Sequence, residues 1–458
     1  MTAVVFAVLL FLAVPISLVL ALTALWYIYD SGNTVLLDSY LQQLFGAIQS
    51  YGLLAIPLFM LAGELMNEGG LTSRLVNLAR ILVGGFRGGM AYINLVANMM
   101  MAAIMGSAAS QIAMMSRAMV PAMEKDGYET PYAADITAAG GLLSPIIPPS
   151  MLFVLFGVLA QVPIADMFIA GIIPGLVMSF LFFIAISLLG LKYQYPKGSW
   201  PTRQQAKQYF LMGIPAALIP LIIIGGILTG LATPTESAAL ASMGALVIGK
   251  YVYRDLKYKN LFGVLRRTAF NSGMVIMLIA AAGVFGWVII FEKIPQSAAS
   301  WIAAQTTDPF MFLMLVVGIL LLVGMVIDGI AALILVVPIL MPIAEAQFGI
   351  SAYQFGVVVC LTLVLGLLTP PVGAGLYICS AMTGASPMAI FRALLPFLLA
   401  TILTLVLIRW AEGLVLALLL VAPVLHRGTL SPLRMFSRHF AVCYIPVSFT
   451  PLSFPTHT

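Results

Sequence analysis

Two short segments hold the residues best placed to do chemistry in this sequence. Gly141 to Ser150 reads GLLSPIIPPS and Gly366 to Gly375 reads GLLTPPVGAG, about 225 residues later, each inside a long apolar stretch. Proline lacks an amide hydrogen and pushes the residue before it out of the helical region. Ser144-Pro145 with Pro148-Pro149, and Thr369-Pro370-Pro371, therefore predict helices that unwind partway along. Gly373 and Gly375 add freedom to the second break. Carbonyls freed in hydrocarbon are costly unless satisfied, so unwound backbone survives where it lines a cavity or holds an ion. A pair of proline kinks filled in by neighbouring hydroxyls is the plainer reading. Two similar breaks in corresponding places favour an ion and substrate site instead.

The elements that must position these breaks are membrane helices. Of 458 residues, 62% are hydrophobic and 8% charged, where a soluble domain carries about a quarter charged residues. Stretches long enough to cross a hydrocarbon core of about 30 Å recur from end to end. Crossings are predicted near 2–28, 44–66, 132–160, 167–191, 209–232, 236–252, 269–291, 353–384 and 393–409. The first apolar run has no basic leader and continues to Tyr29, so it reads as a retained helix and not a signal peptide. Regions 90–123 and 309–346 are too long for one crossing and are interrupted near their middles, at Gly106-Ser107-Ala108-Ala109-Ser110 and Asp328-Gly329-Ile330-Ala331-Ala332. Each is predicted to be a re-entrant helical hairpin.

Basic residues concentrate on cytoplasmic loops. Arg74, Arg80 and Arg87 fall in one loop, Lys192, Lys197, Arg203 and Lys207 in a second, and Lys250, Arg254, Lys257, Lys259, Arg266 and Arg267 in a third. The crossings place all three on one side, with a cytoplasmic N-terminus; the opposite loops, 30–43, 161–166 and 292–308, hold only Lys293. Ser107 precedes Pro121 by fourteen residues, as Asp328 precedes Pro342. The Arg-bearing loop 74–87 corresponds to the nearly uncharged 296–309, so the two copies face opposite sides. The expected fold is all-α and polytopic, with inverted-topology repeats, two re-entrant hairpins and two proline-broken helices, a common plan among secondary transporters.

Three motifs in order, the tip Gly106 to Gln111, TPTES at Thr233 to Ser237 and GLLTPPVG at Gly366 to Gly373, make residues 1 to about 408 similar to the large membrane subunit of tripartite ATP-independent periplasmic (TRAP) transporters. The resemblance implies an elevator-type, sodium-driven importer of carboxylate-bearing solutes, such as a C4-dicarboxylate or a sugar acid. Its site would be multi-pass in the bacterial inner membrane. It also implies two partners, a small four-helix membrane subunit and a periplasmic substrate-binding protein. Carried over residue by residue, one Na+ site would draw on Gly106, Ser107 and Ser110 with Gly141, Ser144 and Pro148. The other would draw on Asp328 and Gly329 with Gly366, Thr369, Pro370, Val372 and Gly373. Backbone carbonyls and hydroxyls would form the shell, and helix N-termini at the tips would face the substrate carboxylate. Ser107, Ser144 and Thr369, with Asn98 and Arg117, are the candidate substrate contacts. After Ile408 the sequence departs from the family pattern, and residues 409–458 receive no role.

The remaining polar residues each have two readings. Asp328 either binds an ion or shapes its hairpin tip, and Asp135 is either functional or an interfacial first-turn acid. Thr233-Pro234-Thr235-Glu236 fits a capping box, which makes Glu236 structural, and Glu64 reads as interfacial. Asn94 and Asn98 share a helix face and either line the path or act as glue between helices. Arg117 either pairs with a carboxylate or snorkels to the cytoplasmic face. Gly84-Gly85 with Gly88-Gly89 is read as a flexible join, and the 26 methionines as adaptable packing. The three histidines, His426, His439 and His457, lie beyond the membrane body, and Cys360, Cys379 and Cys443 lack metal-like spacing. A coupling ion must then be held by oxygens. HExxH and GxSxG segments are absent, so an enzyme is not expected, nor is a nucleic-acid partner. In domain terms, 1–66 and 167–267 are predicted scaffold, 67–166 and 268–392 the two transport repeats, 393–425 a C-terminal membrane region, and 426–458 a disordered tail.

Overall fold

The computed structural model describes residues 2–12, 14–32, 35–193 and 195–410, and among these the chain is helical with no strand. Five helices are long and apolar enough to cross a membrane: Ile164–Leu191, Arg203–Leu228, Tyr258–Phe291, Gly329–Phe348 and Pro387–Ile408. A bent pair, Leu36–Gly46 with Tyr51–Glu68, supplies a sixth. This is a multi-pass membrane protein.

The chain runs twice through one order of elements. The first pass is a short helix Leu71–Val83, a helix pair Gly89–Met105 and Ala108–Lys125, a divided helix Thr130–Gly141 and Met151–Leu159, and the long Ile164–Tyr193. The second is Ile294–Gln305, then Pro309–Gly324 and Gly329–Phe348, then Ala352–Leu367 and Ala374–Thr383, then Pro387–Trp410. Both divisions fall where the prolines predict, and each contains a cis Pro-Pro bond, Pro148-Pro149 and Pro370-Pro371. In each pass the pair packs on the near half of its own divided helix, and its second arm packs on the far half belonging to the other pass. Phe156 against Phe355 (centroids 6.4 Å apart) and Phe182 against Phe397 (5.3 Å) join the two passes. Lipid tails are as apolar as leucine, so close packing and interhelical hydrogen bonds hold such a bundle together. A Cβ on Gly366 would lie 2.6 Å from the carbonyl carbon of Gly324, so these helices touch backbone to backbone.

Of the remaining helices, Ala55–Glu68 packs on Pro234–Val247 and Tyr258–Phe291, while Arg203–Leu228 packs on Pro234–Val247 and on Leu71–Val83 of the first pass. Their starts are locally encoded. Thr233 accepts from the Glu236 amide and Glu236 answers to the Thr233 amide, the predicted capping box, and Thr202 with Gln205 builds another. Arg267 ties two of these helices, pairing with Glu64 at 2.9 Å and Glu68 at 3.1 Å.

Three sequence expectations are corrected. The first crossing is not one helix: Thr2–Phe11 and Ile16–Asp30 are separate, because Pro15 cannot continue the helix before it. The stretches 71–83 and 294–305, expected as loops, are short helices, and so is Val35–Gly46 in the expected loop 30–43. The expectations for residues 411–458 lie outside the described residues.

Candidate functional site

Each tight turn docks on the break of its own pass. Gly106, at φ +60°, closes its helix in a left-handed conformation that glycine adopts without steric cost, and its carbonyl accepts from the Met151 amide at 3.4 Å. In the second pass the Met325 carbonyl accepts from the amide of Gly373, at φ +49°, over 3.1 Å. In both cases the residue that donates stands at the start of a far half-helix.

Between the two turns lies a small cavity. Ala108 and Ala109, Met151 and Leu152, and Gly329 and Ile330 line it, so three helices begin at its wall. The N-terminus of a helix presents unpaired N–H groups and partial positive charge, the preferred setting for an anion. Leu363, Val364 and Leu367, from the C-terminal end of a near half-helix, complete the wall, where carbonyls gather. Asp328 caps its helix by accepting from the Ile330 amide at 3.1 Å, and it also lines the cavity. Of the two readings the sequence left open, this bond gives the turn-shaping one, and the same carboxylate lines the cavity.

The predicted residues separate clearly. Gly106, Ser107, Asp328 and Gly329 line this cavity. Ser110 lines an adjoining one. Ser144 is fully buried at the first break, and its hydroxyl has no partner among the described residues. Thr369 donates back to the Leu365 carbonyl at 2.7 Å, leaving its lone pairs to accept or to ligate. Pro370 and Val372 belong to the second break, with Val372 exposed. Gly141 packs against Ile112 and Gly366 against Gly324. Pro148 faces a separate apolar crevice with Phe168 and Ile223.

Asn98 and Arg117 are not brought to the cavity. Asn98 is fully buried and donates to the Asn94 side chain at 2.8 Å, while Gln111 donates to Asn98 Oδ1 at 2.9 Å and to the Gly140 carbonyl at 3.2 Å. Asn94 extends the ladder to Thr137 at 2.7 Å. Of the two readings open for these asparagines, the structure has the glue. Arg117 is exposed and lies against Met382. Asp135 is fully buried, and its carboxyl oxygens make no hydrogen bond among the described residues, with the Ile136 amide nearby.

Sequence reasoning passed over Asn67 and Asn271, which line the adjoining cavity with Glu64. The available signal was an asparagine in an apolar helix, a residue type that is costly there and usually has a partner or a cavity. Among the described residues no group of three or more His, Cys, Asp or Glu side chains gathers for a metal. The oxygens present, from hydroxyls, carbonyls and Asp328, suit a hard cation better than a transition metal.

Paired turns and breaks around a cavity, in a multi-pass helical protein, define a membrane transport protein. The family model for the DctM component of tripartite ATP-independent periplasmic transporters matches residues 3–414, and the chain belongs to that family, the TRAP transporter large permeases. It is 34% identical over 406 residues to the sialic acid TRAP transporter large permease protein SiaM of Vibrio cholerae, covering 87% of this chain and 93% of that one. It is 35% identical over 404 residues to the sialic acid TRAP transporter permease protein SiaT of Haemophilus influenzae, covering 88% of this chain and 65% of that longer one. These relatives are transporter subunits and not enzymes. Among solved structures the fold resembles the Alcanivorax borkumensis YdaH transporter, with TM-score 0.61, 14% identity, and coverage of 84% of this chain and 89% of that one.

Proposed function

We propose that this chain conducts sodium-coupled import of a small organic anion across the bacterial inner membrane. The observation that carries the reading is the convergence of three helix N-termini, one helix C-terminus and a carboxylate on a single cavity at the two turns. The N-termini hold the substrate carboxylate. Na+ is held on the carbonyl-rich side of each turn: by Gly106, Ser107, Ser110 and the Ser144 hydroxyl in the first pass, and by Asp328, Gly329, Thr369 and the Gly366–Gly373 backbone in the second. Sodium offsets the charge of the anion and of Asp328, so binding of one favours the other.

The helix pairs are re-entrant hairpins, related by inverted topology, and the two passes move as one body past the group that contains Ala55–Glu68 and Tyr258–Phe291. Supporting this is the packing, since each hairpin rests on both divided helices, and the adjoining cavity meets the second group at Met60, Met274 and Val275. Family membership supports a small four-helix membrane subunit and a periplasmic substrate-binding protein as partners. The relatives named for sialic acid support a sugar acid as cargo.

The test is uptake into proteoliposomes that contain this chain and the membrane subunit, with the binding protein outside. Uptake is expected only when an inward sodium gradient and the binding protein are both present. Equal uptake without the binding protein would favour a self-sufficient anion transporter, and equal uptake without sodium would remove the coupling.

A further inference from the structure

The cavity beside the central one shares Ser107, Met151 and Ile330 with it, so the two spaces have a common wall. It is larger than the central one, and its far side comes from the second helix group, through Glu64, Asn67 and Asn271. Asn67, Asn271, Ser107 and Ser110 make no side-chain hydrogen bond within the described structure. Glu64 gives one oxygen to Arg267 and keeps the other. A carboxamide offers two donors and an acceptor, and with Asn67 and Ser110 exposed and Asn271 and Ser107 half-buried, these groups face the open space and not a packed neighbour. Unused polar capacity gathered on one cavity marks a place where a polar partner is received.

The partner's chemistry follows from the lining. An anion seated at the helix N-termini of the central cavity extends its remaining atoms into this second space. There it meets two amides, two hydroxyls and a carboxylate oxygen, which suit neutral hydroxyl groups that both donate and accept. A second carboxylate on the cargo would instead face Glu64, whose charge Arg267 shares with Glu68 and so only partly offsets. We propose that Asn67, Asn271 and Glu64 form a hydroxyl-reading wall, so that the chain takes polyhydroxylated monocarboxylates in preference to dicarboxylates. This rests on the proposed function above, and deepens it by choosing between the two substrate classes.

The test uses membrane vesicles holding the full-length chain with Cys443→Ser and either Asn67→Cys or Asn271→Cys; the cysteines Cys360 and Cys379 are buried. Labelling by a water-soluble maleimide in sodium is followed with gluconate or succinate added, and sodium-driven uptake of gluconate through the complete transporter is measured in parallel. At a concentration where gluconate slows labelling about fivefold, the same concentration of succinate is expected to slow it less than about twofold, an affinity ratio equivalent to roughly one hydrogen bond. Equal protection by both, or uptake without protection by either, overturns the wall and leaves the proposed function standing. Loss of gluconate and succinate uptake in the unsubstituted chain overturns both. Should the cysteine variants not reach the membrane, Glu64→Gln decides by competition: succinate is expected to gain about fivefold on gluconate, and an unchanged ratio refutes the proposal.

Discussion

In the first pass Gln111 bridges Asn98 and the Gly140 carbonyl, and Asn94 carries the ladder on to Thr137, so hydrogen bonds fix the hairpin to its divided helix. At the offset that aligns Ser107 with Asp328 the second pass has Leu315, Ile319 and Ala332, which cannot form such a ladder. There the hairpin is held by backbone contact between Gly324 and Gly366. The charges differ as well: the first turn presents Ser107, the second Asp328. One arrangement of helices is thus fastened in two ways, and only one copy brings a carboxylate to the cavity. A repeat conserves where the backbone goes, while the side chains are free to divide the chemistry between its copies.

The largest expected effect breaks the second fastening. Gly366→Val puts a branched side chain onto Gly324 backbone that cannot give way, and a loss of about 3 kcal/mol is expected, read as a lowered unfolding temperature in detergent. In the first pass Gln111→Ala strips donors from Asn98 and the Gly140 carbonyl in a dry interior. About 2 kcal/mol should be lost by the same measurement; a neutral result would mean that the ladder does not hold the hairpin. Gly141→Ala sharpens the contrast, because its new Cβ meets the movable Ile112 side chain at 2.3 Å, and about 1 kcal/mol is expected. If Gly141→Ala proved as damaging as Gly366→Val, the distinction between the two fastenings would fail. Ser144→Ala removes a hydroxyl that has no partner, so stability should change by less than about 0.5 kcal/mol. Its half-saturating sodium concentration should nonetheless rise several-fold, and unchanged sodium activation would strike Ser144 from the ligands.

The breaks were legible in the sequence because proline acts locally: Pro145, Pro148, Pro370 and Pro371 forbid a continuous helix whatever surrounds them. The capping box at Thr233 was legible for the same reason. Repeat order could be read from the two GLL segments and from the fourteen-residue spacings of Ser107 and Asp328 to their prolines. The short helices 71–83 and 294–305 were missed because hydropathy alone reports long apolar runs. Which side of a helix faces the cavity depends on packing between distant segments. Asn98 and Arg117 carried suitable chemistry but face elsewhere, while Asn67 and Asn271 reach a cavity only because two helices some 200 residues apart lie side by side.

The proposed transport depends most on a cation held beside Asp328 at the second turn. Asn caps helices about as well as Asp, so Asp328→Asn keeps the fold and removes only the charge. In sodium-driven proteoliposome uptake, the half-saturating sodium concentration of this variant should rise about tenfold, equivalent to about 1.4 kcal/mol, with its unfolding temperature unchanged. A variant equally stable and activated by sodium as the unsubstituted chain is would contradict the placement of the ion.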